Sequence, residues 1–188
     1  MKTYRLNKEI VIKCAMDLVA ESGIEGLRLN KIADRLQVKS PSLYTHTGSV
    51  TELRSTVVCQ AMNQFREQLV DSLMGRSQLH AFIELGKTWA NYAKSHRVFY
   101  TVFYQSDYQL LYQETISEFL TSAFKRIFFD FELDEKGIKQ VERVVTNYFR
   151  GYTENFDDYC LAEIDLISDL EIIYKGLTKS LKGVSQVV

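Results

Sequence analysis

One proline, Pro41, and nine glycines are all that 188 residues contain. Tight turns favour those two residue types, so their scarcity argues against a hairpin-rich sheet protein and for long helices. The three cysteines, Cys14, Cys59 and Cys160, lie far apart with no Cys-x-x-Cys spacing. An odd and scattered set does not make a disulfide framework; buried thiols in a reducing compartment are expected. No stretch approaches the roughly 20 apolar residues that a membrane span needs. Near the N-terminus Glu9, Lys13 and Asp17 interrupt every apolar run, so no secretory signal is expected. Together these absences predict a cytoplasmic chain with no membrane partner.

Catalytic signatures are also missing. His46, His80 and His96 share no ligand spacing, and no His-Glu-x-x-His, Gly-rich phosphate loop or Gly-x-Ser-x-Gly elbow occurs. The acidic run Asp157, Asp158, Glu163, Asp165 does not have calcium-loop spacing and reads as a solvated joint. The expectation is of no metal, no cofactor and no enzymatic activity.

What is present is a chain with 46% hydrophobic and 25% charged residues, a composition of soluble globular proteins. Its net charge of −1 conceals a split. Residues 1–54 carry nine Lys and Arg against six Asp and Glu, a net +3; the remainder carries 14 against 18, a net −4. A mildly basic head suits contact with a polyanion.

Apolar residues recur at helical spacing along nearly the whole chain. Ile10, Val11, Cys14, Ala15, Leu18 and Val19 stripe a first helix, with Asn7 as its N-cap and Gly23 as a left-handed stop. Leu29, Ile32, Ala33 and Leu36 stripe a second, of about two turns. A third is expected over about 40–46, with Ser40 as N-cap, Pro41 as first helical residue and Gly48 as terminator. A long helix over about 51–74 follows, then helices near 78–94, 97–104, 109–131, 135–157 and 161–182. The fold class is thus all-α with about nine helices: a three-helix head over residues 1–50 and a larger helical bundle over 51–188. The last two helices are apolar on more than one face, with Val144, Leu166, Ile172 and Ile173 off the main stripes. That pattern predicts a helical homodimer interface; deeper burial within the chain is the alternative.

Two short helices joined by a tight turn, the second opened by Ser-Pro, form a helix-turn-helix pattern. The second helix of such a motif enters the major groove and presents its N-terminal residues to base edges. Ser40 and Ser42 are short and hydroxylated, which allows close approach. Val38 and Leu43 are expected to face inward, leaving Tyr44 and Thr45 to reach a phosphate or a thymine methyl.

The stretch GIEGLRLNKIADRLQVKSPSLYTHTGSVTEL, residues 23–53, resembles the DNA-binding head of the TetR family of bacterial transcriptional regulators. The resemblance rests on Gly23, Ile32-Ala33, Val38, Leu43-Tyr44, His46 and Leu53 taken as a set, and covers about residues 8–54. YAKSHRVFYTVF (92–103) resembles the family's joint between its fifth and sixth helices. NYFRGYTEN (147–155) loosely resembles a Trp-His-Gly-type segment of one subgroup, with Phe149 and Arg150 in place of Trp and His. Three positions depart from the family pattern: Gln37 stands where the turn commonly has Gly, Arg28 where the second helix often has a Thr cap, and Val50 where a phosphate-clamping lysine is common. Arg54, Arg28, Lys39, Lys2 and Arg5 are the candidates to replace that charge.

The resemblance implies a double-stranded DNA operator as partner, read by Arg28, Lys39, Ser40, Pro41, Ser42, Tyr44, Thr45 and His46. It also implies a homodimer through the last two helices and an unidentified small-molecule effector. Aromatic residues crowd positions 89–112. Trp89, Tyr92, Phe99, Phe103, Tyr108 and Tyr112, with Tyr148, are candidate walls of an effector pocket, and equally candidates for plain core. Arg150 is a candidate partner for an anionic effector, or for Glu154 at i+4. The function expected is a ligand-responsive regulator, a repressor on a near-palindromic operator. The alternative is a helical ligand-binding or adaptor protein whose head no longer reads a specific sequence.

Overall fold

Asn7 caps the first helix as its sequence position implies, its Oδ1 accepting the N–H of Ile10 at 2.9 Å. The computed structural model describes residues 6–154 and 163–184. Lys2, Arg5, Asp157, Asp158 and Cys160 lie outside that range. Among the described residues the regular structure is all helical: α1 (Lys8–Ser22), α2 (Leu29–Leu36), α3 (Pro41–Thr47), α4 (Val50–Leu73), α5 (Gln78–Ser95), α6 (Arg97–Val102), α7 (Gln109–Tyr112), α8 (Glu118–Ile127), α9 (Glu135–Glu154) and α10 (Glu163–Val184). The single helix expected over 109–131 is α7, five π-helical residues (Gln113–Ser117) and α8 in unbroken succession, then a short 3₁₀ turn at Phe129–Phe131. None of these helices is long and apolar enough to cross a membrane.

The chain packs as two units, one of Met1–Asn63 with His96–Tyr112, the other of Gln64–Ser95 with Gln113–Val188. In the first, α1 buries Val11, Cys14, Ala15, Leu18 and Val19. Burial, above all, pushes the Cys14 thiol pKa up. Gly23 closes α1 by donating its N–H to Val19 O at 2.8 Å; its φ of 74° is positive as expected, but its ψ of 167° lies outside the left-handed helical well.

The second unit is built on aromatic packing. Trp89 stacks on Phe149 at 4.9 Å and meets Phe65 edge-on at 5.2 Å, and Tyr92 lies 4.6 Å from Phe65. Gly86 of α5 lets neighbouring side chains in close: a Cβ there would stand 2.5 Å from Leu170 Cδ1 of α10 and 2.8 Å from Phe149 Cζ of α9. Where the π-helical residues end, Ser117 donates its hydroxyl to the buried carboxylate of Glu142. Lys139 Nζ lies 2.9 Å from the other carboxylate oxygen, so this buried charge is paired and hydrogen-bonded.

Candidate nucleic-acid interface

The turn between α2 and α3 is a Schellman closure. Val38 N–H donates to Ala33 O at 2.9 Å, and Gln37 sits in the left-handed conformation at φ 54°, ψ 41°. The turn therefore demands the backbone that glycine adopts most readily, and a glutamine side chain holds it against a steric cost. Leu43 is fully buried and anchors α3, while Val38 is half-buried. Thr47, also buried, donates its hydroxyl to Leu43 O at 3.0 Å.

With Leu43 and Thr47 inward, α3 turns Pro41, Ser42, Tyr44 and Thr45 outward; Tyr44 is 57% exposed, a large share for an aromatic ring. Lys39 is exposed just before the helix, and Ser40 and His46 are half-buried at its two ends. Thr45, itself exposed, donates its hydroxyl back to Ser42 O at 3.0 Å.

Ser40 is not the side-chain cap its position suggested. It is already helical at φ −51°, ψ −38°, and its hydroxyl makes no cap bond. Ser42 N–H donates to Lys39 O at 2.9 Å, so the first turn begins one residue earlier. Pro41 accordingly sits within the first turn, where its missing N–H removes no intrahelical bond.

Two of the expected replacements for a cation at Val50 are engaged inside the head. Arg28 folds its guanidinium onto the carbonyls of Glu25 and Leu27. Arg54 pairs with the Glu25 carboxylate at 3.1 Å and reaches Glu25 O at 3.4 Å, with its Nε buried and lacking a hydrogen-bond partner. Arg35 forms a two-pronged pair with Glu21 at 2.8 and 2.9 Å, tying α2 to α1.

A capping box starts α4. Ser49 Oγ accepts Glu52 N–H at 3.1 Å, and Glu52 Oε2 accepts Ser49 N–H at 3.2 Å. The Ser-x-x-Glu spacing over residues 49–52 carries this signal in the sequence, although the site residues expected there did not include it. Gly48, at φ 63°, leaves room for the carboxylate, because a Cβ there would run into Glu52 Oε2.

The effector candidates divide between the units. Phe99, Phe103 and Tyr108 are buried in the first. Tyr112 is half-buried there, its ring 5.4 Å from that of Tyr104, whose hydroxyl bonds Tyr100 OH at 3.0 Å. In the second, Trp89 and Tyr92 belong to the aromatic core, and burial pushes the Tyr92 pKa well up. Tyr148 OH donates to Asp169 at 3.0 Å; burial, then that bond and charge, raise its pKa. Arg150 pairs with Glu154 at 3.2 Å, the i+4 alternative. Among the described residues no group of three His, Cys, Asp or Glu is placed to hold a metal.

Comparisons with known proteins bear on this geometry. No protein-family model matches the chain. Among curated proteins it is 21% identical over 95 residues to the uncharacterised HTH-type transcriptional regulator YobS of Bacillus subtilis, covering 50% of each. It is 26% identical over 92 residues to the class D tetracycline repressor of Escherichia coli, covering 49% of this chain and 37% of that one. Among solved structures, a TetR-family transcriptional regulator from Streptomyces coelicolor superposes with a TM-score of 0.71 at 12% identity, over 94% of this chain and 82% of that one. In sequence the chain is thus similar to HTH-type regulators and tetracycline repressors, and in fold to TetR-family regulators. The matched region spans about half, or less, of these curated relatives' own length. At such low identity the structural likeness speaks for the fold alone.

Proposed function

We propose that this chain is a ligand-responsive transcriptional regulator, a repressor, that binds a near-palindromic operator as a homodimer. The observation that carries the reading is α3. It is fixed from behind by Leu43 and Thr47 and held at one angle by the Gln37 turn, and it offers Ser42, Tyr44 and Thr45 to a groove. Two such heads dock in successive major grooves about 34–36 Å apart. Lys39 and His46 flank the reading face, and Arg28 acts indirectly by fixing the loop before α2.

The homodimer pairs α9 and α10 with a second copy. Val144 and Ile172 support this, being 41% and 68% exposed on helices whose other apolar residues are largely covered. The effector is a small molecule taken up by the second unit, with Trp89, Tyr92 and Tyr148 as its candidate contacts. A solved relative in fold, a multidrug binding protein complexed with imidazole, supports that role (TM-score 0.64, 14% identity, covering 90% of this chain and 96% of that one). The effector releases the operator only by binding the two states of the regulator with different affinity.

A second reading, a helical binding or adaptor protein with a degenerate head, draws on the uncharged Val50 and on the Glu52 carboxylate at the start of α4. A footprint on the DNA upstream of the chain's own gene at low salt separates the two. Two protected patches one helical turn apart are expected of the regulator. No protection at any salt concentration overturns it in favour of the adaptor.

A further inference from the structure

The uncharged Val50 leaves a question of charge, and the arginines among the head's described residues do not answer it, since Arg28, Arg35 and Arg54 are bound to its own carbonyls and carboxylates. A cleft of about 250 Å³ opens where the start of α1, the end of α3 and the start of α4 converge. Lys8, Thr45, His46, Thr47, Gly48, Glu52 and Thr56 are among its walls. The charged or titratable groups on those walls are Lys8, His46 and Glu52. Thr45 is shared between this cleft and the outward face of α3, so the cleft adjoins the surface that meets DNA.

The three threonine hydroxyls donate to backbone carbonyls of Ser42, Leu43 and Glu52. The Glu52 carboxylate is held by Ser49 N–H. Lys8 is exposed and has no carboxylate within ion-pair distance among the described residues, which leaves its ammonium available to an incoming anion.

We propose that Lys8 grips a backbone phosphodiester of DNA at this cleft, in place of a cation at position 50. The inference rests on the DNA-binding reading above and adds a contact to it. Because the contact is to the backbone, it acts on any duplex and carries no sequence preference. Glu52, the opposing charge in the cleft, weakens the grip.

Fluorescence anisotropy over about 50–200 mM salt tests this on two duplexes, one from upstream of the chain's own gene and one unrelated. Lys8→Gln is expected to weaken both by roughly 3- to 10-fold and to lower the slope of log affinity against log salt by about 0.9, one released counterion. Lys8→Arg keeps the wild-type slope, which separates the charge from any effect on folding, and Glu52→Gln tightens binding to both. A Lys8→Gln protein within twofold of wild type at an unchanged slope overturns the Lys8 contact alone, provided wild type binds. Failure of wild type to bind either duplex overturns the DNA reading and this contact together.

Discussion

Arg54 closes on Glu25, with Nη1 3.1 Å from the carboxylate and Nη2 3.4 Å from the backbone carbonyl of the same residue. The first turn of α4 is thereby tied to the 3₁₀ turn at Ile24–Gly26 that follows α1. The arginine side chain is 22% exposed and the glutamate's 79%, so solvent screens the pair and its worth is about 1 kcal/mol or less. Arg54→Gln is expected to lower the thermal midpoint slightly while leaving the salt dependence of DNA binding at the wild-type slope. A slope reduced by about one counterion would instead make Arg54 a phosphate contact.

Gln37 holds the only left-handed backbone in the turn between α2 and α3. Gln37→Gly removes the Cβ that this conformation crowds, at some entropic cost in the unfolded chain. The expected net effect is a gain of about 0.5–1 kcal/mol in urea denaturation, and Gln37→Val should lose stability because branching at Cβ worsens the clash.

Ser49 and Glu52 satisfy each other's N–H groups at the start of α4. Ser49→Ala is expected to cost about 1 kcal/mol, the usual worth of such a cap. Ser49→Asp, which restores an acceptor, should recover most of it. Equal destabilisation by both would show that the cap contributes little.

The Glu21–Arg35 pair gives the head a pH dependence of definite sign. Its hydrogen bond to Arg35, above all, holds the Glu21 carboxyl below its ordinary pKa of 4.5. A lowered folded-state value means that the stabilisation is complete above the ordinary carboxylate range and disappears as pH falls through the folded value. Wild type should exceed Glu21→Gln in stability near pH 7 at low salt, with the gap closing below about pH 4. A gap that widens in acid would contradict the pair.

Helix identity and the outward face of α3 were legible because they follow from local periodicity: Leu43 one step from Tyr44 sorts inside from outside. Asn7 was legible as a cap because a short polar side chain precedes an apolar stripe. Ser40 precedes α3 and Pro41 opens it as the sequence implies, but the hydroxyl makes no cap bond because Ser40 is itself helical in φ and ψ. The π-helical residues at Gln113–Ser117 leave no trace in a 3.6-residue period. Arg54 reads as a free cation because the Glu25 groups that hold it are brought near only by tertiary packing, and Arg28 because a side chain folded back onto the carbonyls of Glu25 and Leu27 leaves no pattern in the sequence. The Lys8 cleft is likewise a meeting of three helices with no counterpart in sequence spacing.

On the proposed function, α3 reads DNA sequence through Ser42 and Tyr44. The most direct measurement compares the affinity for the upstream site with that for a scrambled duplex of equal length, for wild type and for Ser42→Ala with Tyr44→Ala. A wild-type preference of about 10³-fold or more is expected, falling sharply in the double variant while scrambled-duplex affinity changes little. An unchanged preference in the double variant, or no preference in wild type, would contradict it.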